Sequence, residues 1–249
     1  MNVSTMAKTG YVGFARGVGQ VSARAGLLDW LDARRETSRL AHWARSLFAI
    51  HDLDGLIALD VPWWSYAAIA EVERTLAAKP GARVFEYGSG ASTIWLARRA
   101  GSVTSVEHHA GWHARLAGRI AAIPGLAPVE LRLVQADPAG LADPRYFSSK
   151  AGEAGQSFAA YARAIEADDS ASYDLIVIDG RARAACLAHA IGRLAPGGLI
   201  VFDNSGRARY RAAIAKSGLR ARCLRGLTPA LPYPEETALL DNGGGVAMR

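Results

Sequence analysis

Val84-Phe85-Glu86-Tyr87-Gly88-Ser89-Gly90-Ala91-Ser92-Thr93 decides how this chain folds. An apolar strand runs into a Gly-x-Gly turn, and Ser92 or Thr93 stands where a side-chain oxygen caps the helix that follows. Gly88 and Gly90 permit positive φ and let a ligand come close to the backbone. Strand, turn and helix in this order open a doubly wound α/β sheet, in which ligands bind beyond the carboxyl ends of the strands.

Outward from this stretch, short apolar runs alternate with helical periodicity. Residues 83–87, 102–107, 129–136, 173–179 and 198–203 read as buried strands. Helices are expected at 92–100, 112–123, 158–167, 183–194 and 207–216, with turns at Gly101, Pro124-Gly125 and Pro196-Gly197-Gly198. Such alternation specifies a doubly wound, mostly parallel sheet with helices on both faces. Residues 220–226 and 236–240 are the candidate last strands.

Residues 79–249 are thus expected to form one domain, preceded by an extension over residues 1–78. In the extension, residues 1–22 read as loosely structured. Leu27, Leu28, Leu31, Leu40, Trp43, Leu47 and Phe48 recur at helical spacing among arginines. They predict one long amphipathic helix or two shorter ones, packed on the domain or in a homodimer interface rather than on a membrane. A further helix is expected over 64–78.

Two cofactor types compete for the glycine turn. A dinucleotide fingerprint wants a third glycine where Thr93 stands, so that the pyrophosphate sits on the helix N-terminus. Glu86, two residues before the first glycine, also opposes a pyrophosphate. A carboxylate suits S-adenosylmethionine, whose methionine end carries an ammonium and a sulfonium. Glu107, 17 residues beyond Gly90, ends the second strand and is placed to accept hydrogen bonds from both ribose hydroxyls. NAD-binding domains share that second acid, so the weight falls on Glu86 with Thr93.

Residues 82–204 resemble class I S-adenosylmethionine-dependent methyltransferases, and Glu86-Tyr87-Gly88-Ser89-Gly90 resembles their first motif. The stretches 85–95, Ser105-Val106-Glu107-His108, Asp179-Gly180-Arg181 and Asp203-Asn204 are similar to a poorly characterised bacterial branch of them. The resemblance implies a Rossmann-like seven-stranded sheet with an antiparallel last strand. It also implies cofactor contacts along Glu86–Gly90 and at Ser92, Thr93, Glu107 and His108. The adenine contacts that follow the third strand would map to Ala136 and Asp137.

Two more strands end in acids, at Asp179 and at Asp203-Asn204, and both ends face the same crevice in a doubly wound sheet. Three oxygen donors converging there suit Mg²⁺ or another divalent ion. The pattern resembles metal-dependent catechol-type O-methyltransferases, although Ala182 stands where those enzymes carry a lysine. The competing reading has Asp179 orient a ligand and Asp203-Asn204 cap a helix. Arg181, Arg183 and Arg207, followed by Arg209 and Arg211, crowd this edge and suit bidentate capture of a carboxylate or phosphate. Trp63, Trp64 and Tyr66 are candidates to cover a sulfonium, and residues 138–156 to form a lid.

Composition narrows the function class. The net charge is +6, and arginine makes up 25 of the 29 basic residues, since only Lys8, Lys79, Lys150 and Lys216 are lysines. No basic motif marks a specific nucleic-acid site, and no proline pair follows Asp179 as in DNA amino-methyltransferases. Cys186 and Cys223 are the only cysteines and lack CxxC spacing, which argues against a disulfide framework and for a reducing compartment. No run reaches the roughly 20 apolar residues of a membrane span, so a cytoplasmic location is expected.

The expected activity is transfer of the sulfonium methyl to an oxygen of a small or sugar-like, anionic substrate. Asp179 is the candidate base or metal ligand, with Asp203 and Asn204 supporting it. Aminopropyl transfer, or an adenosyl-binding module serving a partner, remain the alternatives.

Overall fold

The computed structural model describes residues 26–50, 52–138, 143–167 and 172–243. The expectations for residues 1–22, and for 139–142 within the lid, lie outside them. In chain order the elements are α1 (Leu27–Asp32), α2 (Arg39–Ser46), α3 (Leu53–Ala58), α4 (Tyr66–Ala78), β1 (Arg83–Tyr87), α5 (Ala91–Ala97), β2 (Ser102–Glu107), α6 (Ala110–Ala122) and β3 (Val129–Leu133). Then follow α7 (Ala159–Arg163), β4 (Tyr173–Ile178), α8 (Arg183–Ile191), β5 (Leu194–Asp203), α9 (Ala208–Lys216), β6 (Arg220–Gly226) and β7 (Glu235–Asp241).

The seven strands form one sheet in the order β3-β2-β1-β4-β5-β7-β6. β1 pairs in parallel with both β2 and β4, and β7 inserts antiparallel between β5 and β6. This is the doubly wound, mostly parallel, Rossmann-like sheet expected from the alternation. The order reverses at β1, so the crevice beyond β1 and β4 is the place for a ligand.

Strand alternation divides the core in two. Val84, Val103, Leu175, Val177 and Val201 pack on α3, α4, α5 and α6. Phe85, Tyr87, Val106, Ile176, Ile178 and Phe202 face α7, α8 and α9. Period-2 side-chain direction explains both sets, because each central strand is buried on its two faces. Trp64 and Trp95 lock the first layer with rings edge-on, 5.9 Å between centroids.

The amphipathic stretch upstream of residue 50 is two short helices. Ser38 starts the second by accepting the Ala41 N–H. α3, which the periodicity did not reveal, is capped by Asp52, whose carboxylate accepts the Asp54 N–H. Leu53, Leu56, Ile69 and Val72 share the first hydrophobic cluster with the sheet. Among the described residues no helix is long and apolar enough to cross a membrane.

Candidate active site

The exits of β1, β2, β4 and β5 open on one cavity of about 1110 Å³. Gly88, Ser89, Gly90 and Ser92 line it from the first turn, Glu107 and His108 from β2, and Asp179, Arg181 and Arg183 from β4. Asp203, Asn204 and Arg207 complete it from β5. Most residues singled out from the sequence therefore meet in one place, although they come from four strand ends.

At the first turn, Gly88 has φ +95°, and a Cβ there would lie 2.8 Å from Gly180 N. The turn needs glycine because the exits of β1 and β4 nearly touch. At Gly90 a Cβ would meet only Ser92 Oγ, at 3.8 Å, so the backbone is open to a ligand. Trp112, which the sequence reading did not single out, donates its Nε1–H to Ser89 O at 2.8 Å and braces the turn from α6.

Glu86 corrects the sequence reading. Its carboxylate does not reach the cavity but points into the sheet's first layer, fully buried. There it accepts hydrogen bonds from Ser92 Oγ (2.5 Å), Thr93 Oγ1 (2.5 Å) and Ser105 Oγ (2.6 Å). Thr93 Oγ1 in turn accepts the Gly90 N–H at 2.9 Å. Burial pushes the Glu86 carboxyl up to about 7 in spite of these hydroxyls. Glu86 and Thr93 thus shape the glycine turn from behind. Tyr87 is also turned away: its ring lies in the second core layer, and its hydroxyl donates to Ala162 O at 2.7 Å.

Asp137 is likewise absent from the cavity lining. It accepts from Ser157 Oγ and from the N–H groups of Ala159 and Ala160, and so anchors the start of α7. The long segment between β3 and β4 folds back on this carboxylate, so the residue that the resemblance maps to adenine is occupied by the start of α7 and lies outside the lining.

Glu107 does face the cavity. Its Oε1 accepts the N–H groups of His108 and His109, both at 2.8 Å. Burial opposes ionisation, but the His108 ring and these N–H groups outweigh it and hold the carboxyl below its ordinary value. An ionised, acceptor-only group at a cavity wall fits a ribose diol. The open turn at Gly90 and this carboxylate together fit an adenosyl cofactor.

The divalent-cation reading fails on Arg183. That side chain is buried and donates to Asp179 Oδ1 (2.7 Å), Asp179 O (2.9 Å), Gly180 O (3.1 Å) and Asp203 O (2.6 Å). Its Nη1 is also 3.5 Å from Asp203 Oδ2. A guanidinium therefore supplies the positive charge between the two aspartates, and the donor set of Asp179, Asp203 and Asn204 does not fit a metal ion. Among the described residues no group of three or more His, Cys, Asp or Glu side chains is arranged to hold one.

Burial raises the Asp179 carboxyl against the pull of Arg183. Burial and then the charge of Asp179 push Asp203 up to about 8. Two carboxyls this close do not ionise together, so the pair retains a proton near neutrality, with Asp203, deeper in the core, as its holder. Asn204 and Ala182, at the exits of β5 and β4, both have left-handed backbone, φ +53° and +43°. Such outliers concentrate where a functional site over-determines the chain.

The arginines divide by partner. Arg183 is committed to the aspartates. Arg181 forms an ion pair with Glu153, whose other oxygen lies 3.3 Å from His108 Nε2. Ser148, Lys150 and Glu153 bring residues 143–156 of the expected lid to the cavity. Arg209 lies over the Tyr210 ring at 4.8 Å. Arg207 is exposed and has no acidic hydrogen-bond or ion-pair partner among the described residues. Glu153 was not foreseen, because its role depends on where a long loop returns.

Residues 85–205 match the profile of a family described as "Methyltransferase domain". No curated protein matches the chain. Among solved structures, a methyltransferase-like protein from Silicibacter pomeroyi is 22% identical with a TM-score of 0.47, over 70% of this chain and 86% of that one. A Streptococcus mutans protein described as a methyltransferase and solved with S-adenosylhomocysteine is 10% identical, TM-score 0.47, over 69% and 96%. A ribosomal protein L11 methylase from Lactobacillus delbrueckii is 16% identical, TM-score 0.45, over 76% and 78%. Likeness at this level adds nothing to the sheet order already described.

Proposed function

We propose that the chain, whose residues 85–205 match the family described as "Methyltransferase domain", is an S-adenosylmethionine-dependent methyltransferase that methylates an oxygen of a small anionic acceptor. The observation that carries this reading is the meeting of the open Gly88–Gly90 turn, ionised Glu107 and the Asp179–Arg183 pair in one cavity. The cofactor supplies a methyl group made electrophilic by the sulfonium.

The protein's own share is positioning and one proton. Glu107 would accept the ribose hydroxyls, and the backbone of the glycine turn would hold the methionine part. The Asp179 carboxylate, made more basic by burial, takes the proton from the acceptor hydroxyl while Arg183 holds it in place. Asp203 keeps its own proton, so a second negative charge does not oppose the acceptor oxygen. Alignment in the cavity does the rest of the work, since holding the reacting groups in line replaces a bimolecular encounter. Arg207 attracts the acceptor's negative group.

Calorimetry of the full chain with S-adenosylhomocysteine and with NADH tests the cofactor. Binding of the first at micromolar level or tighter, without binding of NADH, is expected. The reverse preference would sink the reading.

A further inference from the structure

The cavity of about 1110 Å³ exceeds the roughly 300–1,000 Å³ of a site for one drug-sized ligand, so it has room for an acceptor beside a cofactor. Its lining is of two kinds. One part carries Arg181, Arg207 and Arg209. Another is apolar: Ile50, Leu53 and Leu56 from α3 and its approach, Trp63 before α4, and Leu231 and Pro232 before β7.

The apolar part is a built surface, although its pieces are about 180 residues apart in the chain. Trp43 Nε1 donates to Leu231 O at 3.0 Å, and Ser46 Oγ accepts the Ala230 N–H at 2.8 Å. The Tyr66 N–H is bonded to Leu227 O at 3.0 Å. These bonds fasten the helices before the sheet to the loop between β6 and β7 and fix both at the cavity. A sugar or a nucleotide would leave this surface wet and its own hydroxyls without partners. A purely apolar acceptor would leave Arg207 unanswered.

We propose that the acceptor is an amphipathic anion: a carboxylate or phosphate ester met by Arg207, with an alkyl or aromatic body against Leu56, Trp63 and Leu231. The proposal rests on the methyl-transfer reading and narrows its substrate class. The residues before β1 are then part of the acceptor site, and they give the specificity for apolar bulk.

The test is calorimetric titration of the full chain, saturated with S-adenosylhomocysteine, with butanoate, hexanoate and octanoate. Octanol and glucose 6-phosphate serve as the uncharged and the polar controls. Affinity is expected to rise roughly fourfold per methylene along the acids, the factor for burial of one CH₂. Both controls should bind at least about tenfold more weakly than octanoate, the usual loss when a charged hydrogen bond or an apolar body is missing. Arg207→Gln should weaken octanoate by a similar factor without changing S-adenosylhomocysteine binding, and Leu231→Asn should flatten the chain-length series. A flat series in the wild-type protein, equal affinity for octanol and octanoate, or an unchanged Arg207→Gln variant would overturn the proposal while the cofactor reading stands. Failure of S-adenosylhomocysteine to bind would remove both.

Discussion

Thr93 Oγ1 lies 2.5 Å from Glu86 Oε2 and ties the first turn of α5 to the end of β1 from behind the glycine turn. With Ser92 and Ser105 it surrounds a carboxyl that no solvent reaches. The consequence is a pH-dependent stability. Glu86 holds its proton in the folded chain up to about 7, whereas its ordinary value is 4.5. Its contribution is complete below 4.5 and is lost as pH rises through about 7, on the order of 3 kcal/mol in all. Urea unfolding at a series of pH values should show wild-type stability falling relative to Glu86→Gln over this window. A wild-type-to-variant difference that does not change with pH would exclude the mechanism.

Of the two acids flanking the glycine turn, Glu86 and Glu107, it is Glu107 that lines the cavity, so the cofactor's ribose should depend on it. Hydrogen bonds to a charged group are worth about 1.5–3 kcal/mol each. Glu107→Ala should therefore weaken S-adenosylhomocysteine at least about tenfold by calorimetry. Glu86→Gln, which changes a group outside the cavity, should affect binding much less.

Arg183 reaches both buried aspartates and balances the one negative charge that the pair carries near neutrality. Its removal leaves that charge uncompensated, which typically costs about 3–5 kcal/mol. Arg183→Ala should lower the unfolding free energy by that order, and Arg183→Lys should recover only part, because an ammonium does not reproduce the fork over four oxygens. Thermal and denaturant unfolding of both variants checks this. Full rescue by lysine would mean that charge alone matters.

Gly88 and Gly118 make a matched pair. Gly88→Ala forces a side chain to positive φ and against the Gly180 backbone at 2.8 Å, so a loss of at least about 2 kcal/mol and impaired S-adenosylhomocysteine binding are expected. Gly118, exposed within α6, has nothing within 4 Å of its Cβ position, and Gly118→Ala should gain about 0.5–1 kcal/mol. Melting temperatures of the two variants should move in opposite directions.

Much of this architecture was legible in the chain because it is written locally. Strands β1 and β2 run over Arg83–Tyr87 and Ser102–Glu107, as their apolar runs and bounding glycines indicate. Strand β5 begins earlier than its apolar run, at Leu194, because Tyr173 pairs with Leu194 before a register shift. The meeting of Asp179, Asp203 and Glu107 also followed, since parallel strands end at one edge.

What the sequence alone determined is the order of strands and helices, the glycine turn, and the set of acids and arginines delivered to the sheet's carboxyl edge. Period and turn chemistry depend on near neighbours in the chain, and they leave little choice. Only the tertiary structure decided the direction of each side chain. Glu86 turns inward because Ser105 of β2 and the start of α5 offer it hydroxyls, Asp137 is held by a helix start some twenty residues on, and Arg183 fills the space a metal would need. Those partners are distant in sequence and close in space, so the energy that settles each orientation exists only after the sheet has formed.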